Sequence, residues 1–261
     1  MPSSQQIQVI IIGGGTFGTT TAYHLSQTDY KKVVVLDRFK GTPSPEAAGT
    51  DINKVIRTEY PDQLYTKLAS DARDIWKDPN GLFSGLYHES GWVIGASERS
   101  MPFVESSIVS AKKMGVEPVH TLSVDDVKNR WPRAFGNGRF DGWKLYYSPH
   151  AAWVNAREGM RRMARKSMDS NVVEYITGES GHVVQLLFNA NSTCIGVKCI
   201  DGSTYFADKI VLAAGAAAAE LLDLEGQIEA NGHTVGHIQL TPEEVEKYKN
   251  MPIVDHLEGG E

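Results

Sequence analysis

Gly13, Gly15 and Gly18 stand at the spacing G-x-G-x-x-G, and Asp37 follows 24 residues after the first of them. Glycines at these steps suit a diphosphate. The first permits a tight turn, the second lets backbone come up against the pyrophosphate, and the third lets a helix lie close on a strand. A helix opening there turns its unpaired N–H groups and positive dipole end toward the anion. A carboxylate at Asp37 can accept both hydroxyls of an adenosine ribose and would repel a phosphorylated one.

The glycine pattern alone is common, and its setting gives it weight. Ile7 to Ile12 is an apolar run rich in β-branched residues, as expected of a strand buried on both faces of a parallel sheet. Phe17 to Gln27 reads as a helix, and Lys32 to Leu36 as a second buried strand closing at Asp37. Strand, glycine turn, helix and strand in about 30 residues make half of a Rossmann unit. The residues therefore predict dinucleotide binding. FAD and NAD share this fingerprint, so spacing leaves the choice between them open.

Gly41 to Gly49 is a loop by composition, and Asp62 to Lys77 resumes helical spacing with Leu64, Leu68, Ala72 and Ile75. Tyr87 to Ala96 reads as one strand, Pro102 to Met114 as a helix, Ser123 to Arg130 as a short helix capped by Ser123 with Asp126, and Gly136 to Tyr147 as turns. Val154 to Met168 is helical with a basic outer face, Arg157, Arg161, Arg162, Arg165 and Lys166, which reads as solvated. Strands are expected at Val172 to Ile176, His182 to Asn189, Thr193 to Ile200 and Lys209 to Ala213. Thr241, Pro242 and Glu244 form the opening of a last helix.

At about 150 residues per domain, 261 residues make one to two domains. A net charge of −6 gives no electrostatic grip on nucleic acid or an anionic membrane surface, and neither is expected as a partner. The apolar run before the glycines has no basic flank and is too short to span a bilayer, so neither a signal peptide nor a membrane span is expected. Cys194 and Cys199 would point to opposite faces of one strand, which disfavours a disulfide. This usage suggests an intracellular setting, and with no targeting signal read in the sequence the expected compartment is the cytoplasm or the peroxisome. The sequon Asn191-Ser192-Thr193 then reads as idle.

Other chemistries have less support. His233 and His237 could share a metal on a helix, but Val235 to Leu240 reads as a strand, where four residues span about 13 Å. His120, His150 and His182 have no partner at ligand spacing, and neither cysteine lies in a C-x-x-C, so no metal site is expected. No G-x-S-x-G or convincing Cys and His pair supports nucleophilic hydrolysis. Tyr60, Tyr65, Trp92, Trp143, Tyr146, Tyr147 and Trp153 are numerous enough to wall a substrate cavity, yet aromatics this frequent read first as packing.

The segment Ala47-Ala48-Gly49-Thr50-Asp51-Ile52-Asn53-Lys54 follows the second strand, as the flavin-covering loop does in the sarcosine oxidase branch of the D-amino-acid oxidase superfamily. The stretches AAGTDINKVIRTEYPDQLYTKLASDARDIW, YHESGWVIGA, SPHAAWVNAREG, ADKIVLAAGA and DLEGQIEANGHTVGHIQLTPEEVEKYKNMPIV resemble fungal fructosyl amino acid oxidases (amadoriases) and saccharopine or pipecolate oxidases. Essentially the whole chain takes part in the resemblance.

The resemblance implies an α/β fold in which a Rossmann-type FAD-binding domain, 1–82 and 150–224, interleaves with a smaller α+β substrate domain, 83–149 and 225–261. It implies FAD as cofactor, a small-molecule amine or amino acid as substrate, and molecular oxygen as acceptor, giving peroxide. Carried over by position, the cofactor-binding residues are Gly13, Gly15, Thr16, Phe17, Gly18, Asp37, Arg38, Ala48, Gly49, Asn53, Lys54, Val173, Ala214 and Gly215. Asn53 and Lys54 fall near the isoalloxazine, and Val173 on a strand whose backbone passes the adenine. Lys54 is the catalytic candidate, since a cation beside the ring system stabilises an anionic reduced flavin. An NAD-dependent dehydrogenase and a catalytically silent nucleotide-binding homologue are the other readings.

The family commonly has serine where Ala47 stands and glycine where Ala152 precedes Trp153, and the first change removes a hydrogen bond available to the cofactor. Related enzymes also run on well past the point matching Glu261, where they carry an oxygen-activating lysine and a cysteine bonded to the flavin. Read against them, the chain is expected to be C-terminally truncated, to hold flavin without a covalent bond, and to turn over amines poorly by itself. Oligomeric state is not legible.

Overall fold

The computed structural model describes residues 6–257 apart from His233. In chain order the elements are β1 (Val9–Ile12), α1 (Thr16–Leu25), β2 (Val33–Asp37), β3 (Lys54–Ile56), α2 (Gln63–Lys77), β4 (Tyr87–Glu89), β5 (Trp92–Ala96), α3 (Met101–Lys113), β6 (His120–Leu122), α4 (Val124–Arg130), α5 (Pro132–Phe135), β7 (Lys144–Ser148) and β8 (Ala152–Val154). There follow α6 (Ala156–Met168), β9 (Val173–Thr177), β10 (Val183–Phe188), β11 (Cys194–Cys199), β12 (Thr204–Phe206), β13 (Lys209–Leu212), α7 (Ala218–Leu221), α8 (Pro242–Tyr248) and β14 (Ile253–His256). They fall into two compact units, Met1–Ile52 with Ala156–Thr234, and Asn53–Asn155 with Val235–Glu261.

The first unit is built on a parallel sheet in the order β13-β1-β2-β9. Every residue of β1 and β2 is buried, because successive side chains alternate between two covered faces. Val9, Ile11, Val33 and Val35 pack with Ala22 of α1 and Val173 of β9. Ile10, Ile12, Val34 and Leu36 pack instead against Val183, Val197 and Cys199, from the antiparallel sheet β10-β11-β12. One face of the central sheet is therefore covered by helix and the other by strand, and an apolar run without a polar alternate is what such a position selects. Helix α6 buries Ala156, Gly159, Met160, Ala164 and Ser167, leaving Arg157, Arg161, Arg165 and Lys166 in solvent and Arg162 half-buried.

The second unit holds a mixed sheet in the order β14-β5-β7-β6 and a small sheet in the order β3-β8-β4. Trp92, Ile94, Val104 and Tyr146 centre one core, and Val93, Val127 and Leu145 another on the opposite face of β5 and β7. Helix α2 is capped by Asp62, whose carboxylate accepts the Leu64 N–H at 2.7 Å, while Ser123 and Asp126, and Thr241 and Glu244, form reciprocal capping boxes.

Four expectations are corrected. The run Tyr87 to Ala96 is two strands in different sheets, broken at Gly91, whose φ of +73° and contact with the Tyr147 ring leave no room for a side chain. Val154 ends β8, and the helix after it opens at Ala156. Val235 to Leu240 takes no regular structure, and apart from half-buried Leu240 its residues are exposed, Ile238 at 86%; a strand needs a ladder partner that alternation alone does not supply. The units divide at 52/53, 155/156 and 234/235, where the resemblance implies divisions at 82/83, 149/150 and 224/225. Residues 53–82 go with the second unit because β3 pairs with β8, Lys54 opposite Val154, and because Thr66 of α2 hydrogen-bonds Ser110 of α3 at 2.9 Å. Among the described residues no helix is long and apolar enough to cross a membrane.

Candidate cofactor-binding site

A cavity of about 620 Å³ opens in the first unit at the carboxyl ends of β1, β2 and β13. From β1 the chain goes to β2 on one side, while β13 lies on the other, so the cavity sits where the strand order reverses, the usual crevice for a ligand on an open parallel sheet. Its size suits a small-molecule site, about 300–1,000 Å³.

Its floor is the glycine turn. Gly13 has φ of +105°, and a Cβ there would stand 2.4 Å from the Ala213 carbonyl oxygen, so the turn after β1 and the turn after β13 pass too closely for any side chain. Gly15 is the N-cap of α1, and a Cβ on it would lie 3.1 Å from that of Ala47. A Cβ on Gly18 would stand 1.8 Å from the Gly13 carbonyl oxygen and 3.2 Å from Ile11, which is the close packing of helix on strand that the third glycine permits. The first N–H to close a helical bond at Gly15 is that of Thr19, 2.8 Å away. The amides of Thr16, Phe17 and Gly18 precede it and are the donors a helix start offers to an anion.

Asp37 closes β2 and is 7% exposed. Its Oδ2 accepts the Gly14 N–H at 2.7 Å and its Oδ1 the Phe39 N–H at 2.9 Å. The carboxylate thus ties the second strand to the glycine turn. Two oxygens with about four acceptor sites retain capacity for a ligand's hydroxyls after these two bonds. The Thr19 hydroxyl donates to the Gly14 carbonyl at 2.9 Å, so the Gly14 residue is held through both its amide and its carbonyl. Ser44 N–H donates to the same carbonyl at 3.2 Å, laying the loop from Ser44 to Ala48 along the cavity. Arg38 and Glu220 form an ion pair at 3.5 Å on the rim.

Of the residues singled out in sequence, Gly13, Gly15, Thr16, Phe17, Asp37, Arg38, Ala48, Ala214 and Gly215 line this cavity. Gly18 lies behind it. Gly49 packs on Thr16 and Met160 instead of lining it, since a Cβ there would meet the Thr16 hydroxyl at 2.1 Å. Val173 is 6% exposed in the helix-side core, opposite Val33 at the amino end of β9. Four residues of strand, about 13 Å, separate it from the carboxyl ends where the cavity lies. Asn53 and Lys54 belong to the second unit, where both are exposed and Lys54 opens β3.

The sequence reading missed Gly181 and His182, which line the cavity from the turn before β10, and Glu46 and Glu220. A Cβ on Gly181 would meet the Asp37 carbonyl oxygen at 2.6 Å, so this glycine lets the later hairpin touch the end of β2. No local pattern signals that approach, because it is made by residues far apart in the chain. His182, which has no ligand partner in sequence, finds its place here.

His120, His150 and the aromatics singled out in sequence are in the second unit. His120 and His150, 30 residues apart, both bond one carboxylate, that of Glu117, at 2.9 and 2.7 Å. These bonds hold the Glu117 carboxyl below the ordinary range. Burial raises the pKa of Glu89, but Lys77 and His150 outweigh it and the net shift is downward. Among the described residues no group of three or more His, Cys, Asp or Glu is placed to hold a metal; His233 lies outside them. The aromatics mostly pack. Trp92 and Tyr146 are core, Trp143 stacks on His256 and Trp153 on His88, and the Arg57 guanidinium lies over the rings of Tyr60, Trp92 and Phe103. Cys194 and Cys199 are free thiols on β11, and neither lines the cavity; burial, with Asp201, pushes the Cys199 thiol up to about 11.

A family profile described as FAD dependent oxidoreductase matches residues 8–260. The chain is 30% identical to L-saccharopine oxidase of Schizosaccharomyces pombe over 94% of its own length and 59% of that protein, and 23% identical to monomeric sarcosine oxidase of a Bacillus species over 84% and 54%. Among solved structures it superimposes on fructosamine oxidase (amadoriase II) of Aspergillus fumigatus with a TM-score of 0.81 at 31% identity, covering 98% of this chain and 59% of that one. The chain therefore spans a little over half the length of these relatives.

Proposed function

The chain belongs to the family of FAD-dependent oxidoreductases, and from that premise we propose that its cavity holds FAD and that the protein oxidises a C–N bond of a secondary or substituted amine or amino acid. The observation that carries the reading is the Asp37 carboxylate, bonded to the glycine turn at 2.7 Å and lining the same cavity as the α1 N-terminus. Pyrophosphate fits the helix N-terminus, because backbone N–H groups converge there without side chains to hinder approach. Ribose hydroxyls fit the Asp37 carboxylate. Similarity to saccharopine oxidase and to amadoriase supports flavin over nicotinamide and an amine over an alcohol as substrate.

When bound, FAD would supply the two-electron acceptor for oxidation of the C–N bond, with O2 as the final acceptor giving H2O2. The chain's own residues hold and orient. Gly13, Gly15 and the first turn of α1 receive the diphosphate, Asp37 the ribose, and Ala214 and Gly215 the stretch between the two halves of the cofactor. Lys54, carried over by its position in the family, is the residue we assign to stabilising negative charge on the reduced cofactor. A preorganised charge of this kind is worth about 3 kcal/mol, or roughly a hundredfold in rate. Removing it by Lys54→Met is expected to slow amine-dependent peroxide release about a hundredfold while FAD affinity stays within about twofold.

The reading is tested by titrating the protein with FAD and with NADH, then supplying saccharopine, sarcosine, pipecolate or fructosyl amino acids under air. Saturable FAD binding with slow peroxide release on one of these amines is the expected result. Preference for NADH would overturn the cofactor, and saturable FAD binding without peroxide from any amine would favour the silent homologue.

A further inference from the structure

Asn-Gly pairs occur at Asn80–Gly81, Asn137–Gly138 and Asn231–Gly232. Such a pair can cyclise, because glycine puts no side chain beside the attacking amide nitrogen. The three differ in what that nitrogen is doing. Gly81 N–H donates to the Asp78 carbonyl at 3.1 Å and Gly138 N–H to the Phe135 carbonyl at 2.8 Å, each within a turn. Gly232 N–H makes no backbone hydrogen bond to a described residue, and both Asn231 and Gly232 are exposed on backbone without regular structure. Gly232 also lines the 620 Å³ cavity, beside three carboxylates, Asp37, Glu46 and Glu220.

We propose that Asn231 is a site of spontaneous deamidation that weakens nucleotide binding at this cavity. The Gly232 nitrogen attacks Cγ of Asn231, the bond from Cγ to the side-chain nitrogen breaks, and ammonia leaves with a five-membered succinimide formed. Water then opens the ring at either carbonyl, giving aspartate or isoaspartate. The step consumes one water and neither oxidant nor reductant. It adds a carboxylate on the residue next to Gly232, which lines a cavity already holding three acids, and repulsion of a diphosphate by that charge is only partly screened there. The isoaspartate product lengthens the backbone by one methylene next to a residue that lines the cavity. The link to nucleotide affinity rests on the FAD reading; the modification itself does not.

The test ages the protein at mildly alkaline pH, with and without saturating FAD, and follows the one-dalton gain at each asparagine by peptide mass mapping. Deamidation at Asn231 is expected to run about tenfold faster than at Asn80 or Asn137, whose glycine amides must first give up a hydrogen bond by local opening. Gly232→Ala should slow it sharply, and since a Cβ there meets nothing within 4 Å this variant is expected to fold. FAD should slow Asn231 alone, and Asn231→Asp should bind FAD about fivefold more weakly. Equal rates at the three sites would overturn the modification. Rapid change at Asn231 with FAD affinity intact in Asn231→Asp would overturn the link to the cavity, and FAD titration of the unaged protein in the same series shows separately whether the cofactor reading holds.

Discussion

Strands β1 and β5 are both buried along their whole length, yet one announces its purpose in the sequence and the other does not. β1 runs straight into the glycines that shape the cavity, and its neighbour β2 brings Asp37 back to the same turn at 2.7 Å. The partners of β5 are β7, about fifty residues on, and β14, near the far end of the chain. The chemistry beside β1 is therefore fixed by local backbone requirements, which leave a mark on residue type. The surroundings of β5 are fixed by long-range pairing, which asks only for apolar side chains of suitable shape.

That contrast can be broken by substitution. Trp92→Ala, in β5, removes the largest fully buried side chain and should cost about 3–5 kcal/mol in urea denaturation. A cost below 1 kcal/mol would mean that this core is not built as described. Gly18→Ala sets a methyl against the Gly13 carbonyl and should cost about 1–3 kcal/mol together with FAD binding. Retained binding with unchanged stability would show that helix and strand are not held so close.

Smaller effects sharpen the comparison. Ala47→Ser puts a hydroxyl on the cavity lining and should tighten FAD by about 1 kcal/mol in a fluorescence titration, while no gain would show that the family's serine makes no cofactor bond here. Flavin is expected in the supernatant after acid precipitation, since Cys199 is 1% exposed with its thiol pushed up to about 11 and neither cysteine lines the cavity. Colour in the pellet would contradict this. In the second unit, hydrogen bonds from His150 and His120 hold the Glu117 carboxyl low. A depressed carboxyl contributes stability above its unfolded value of 4.5 and loses it as pH falls through the folded one. Urea midpoints measured across that acid range should fall more steeply for the wild type than for Glu117→Gln.

The glycine turn, both central strands, α1 and the capping boxes at Ser123 and Thr241 were legible because each depends on residues within a few positions of one another. Gly181 and His182 were not, since their place in the cavity comes from a hairpin packing on the end of β2. Val173 misled for the related reason that a strand's identity says nothing about which of its ends meets a ligand. Glu117, His120 and His150 come together only through the pairing of β6 with β7. The break at Gly91 was equally hidden, because Tyr87 to Ala96 keeps an apolar strand pattern across two sheets.

FAD titration of the wild type beside Asp37→Ala tests the central claim most directly. The wild type should bind saturably, and the variant should lose roughly 1–3 kcal/mol, about tenfold to a hundredfold in affinity, as a charged hydrogen-bond acceptor is removed. Equal affinity in the two proteins would contradict the assignment of this cavity to the nucleotide.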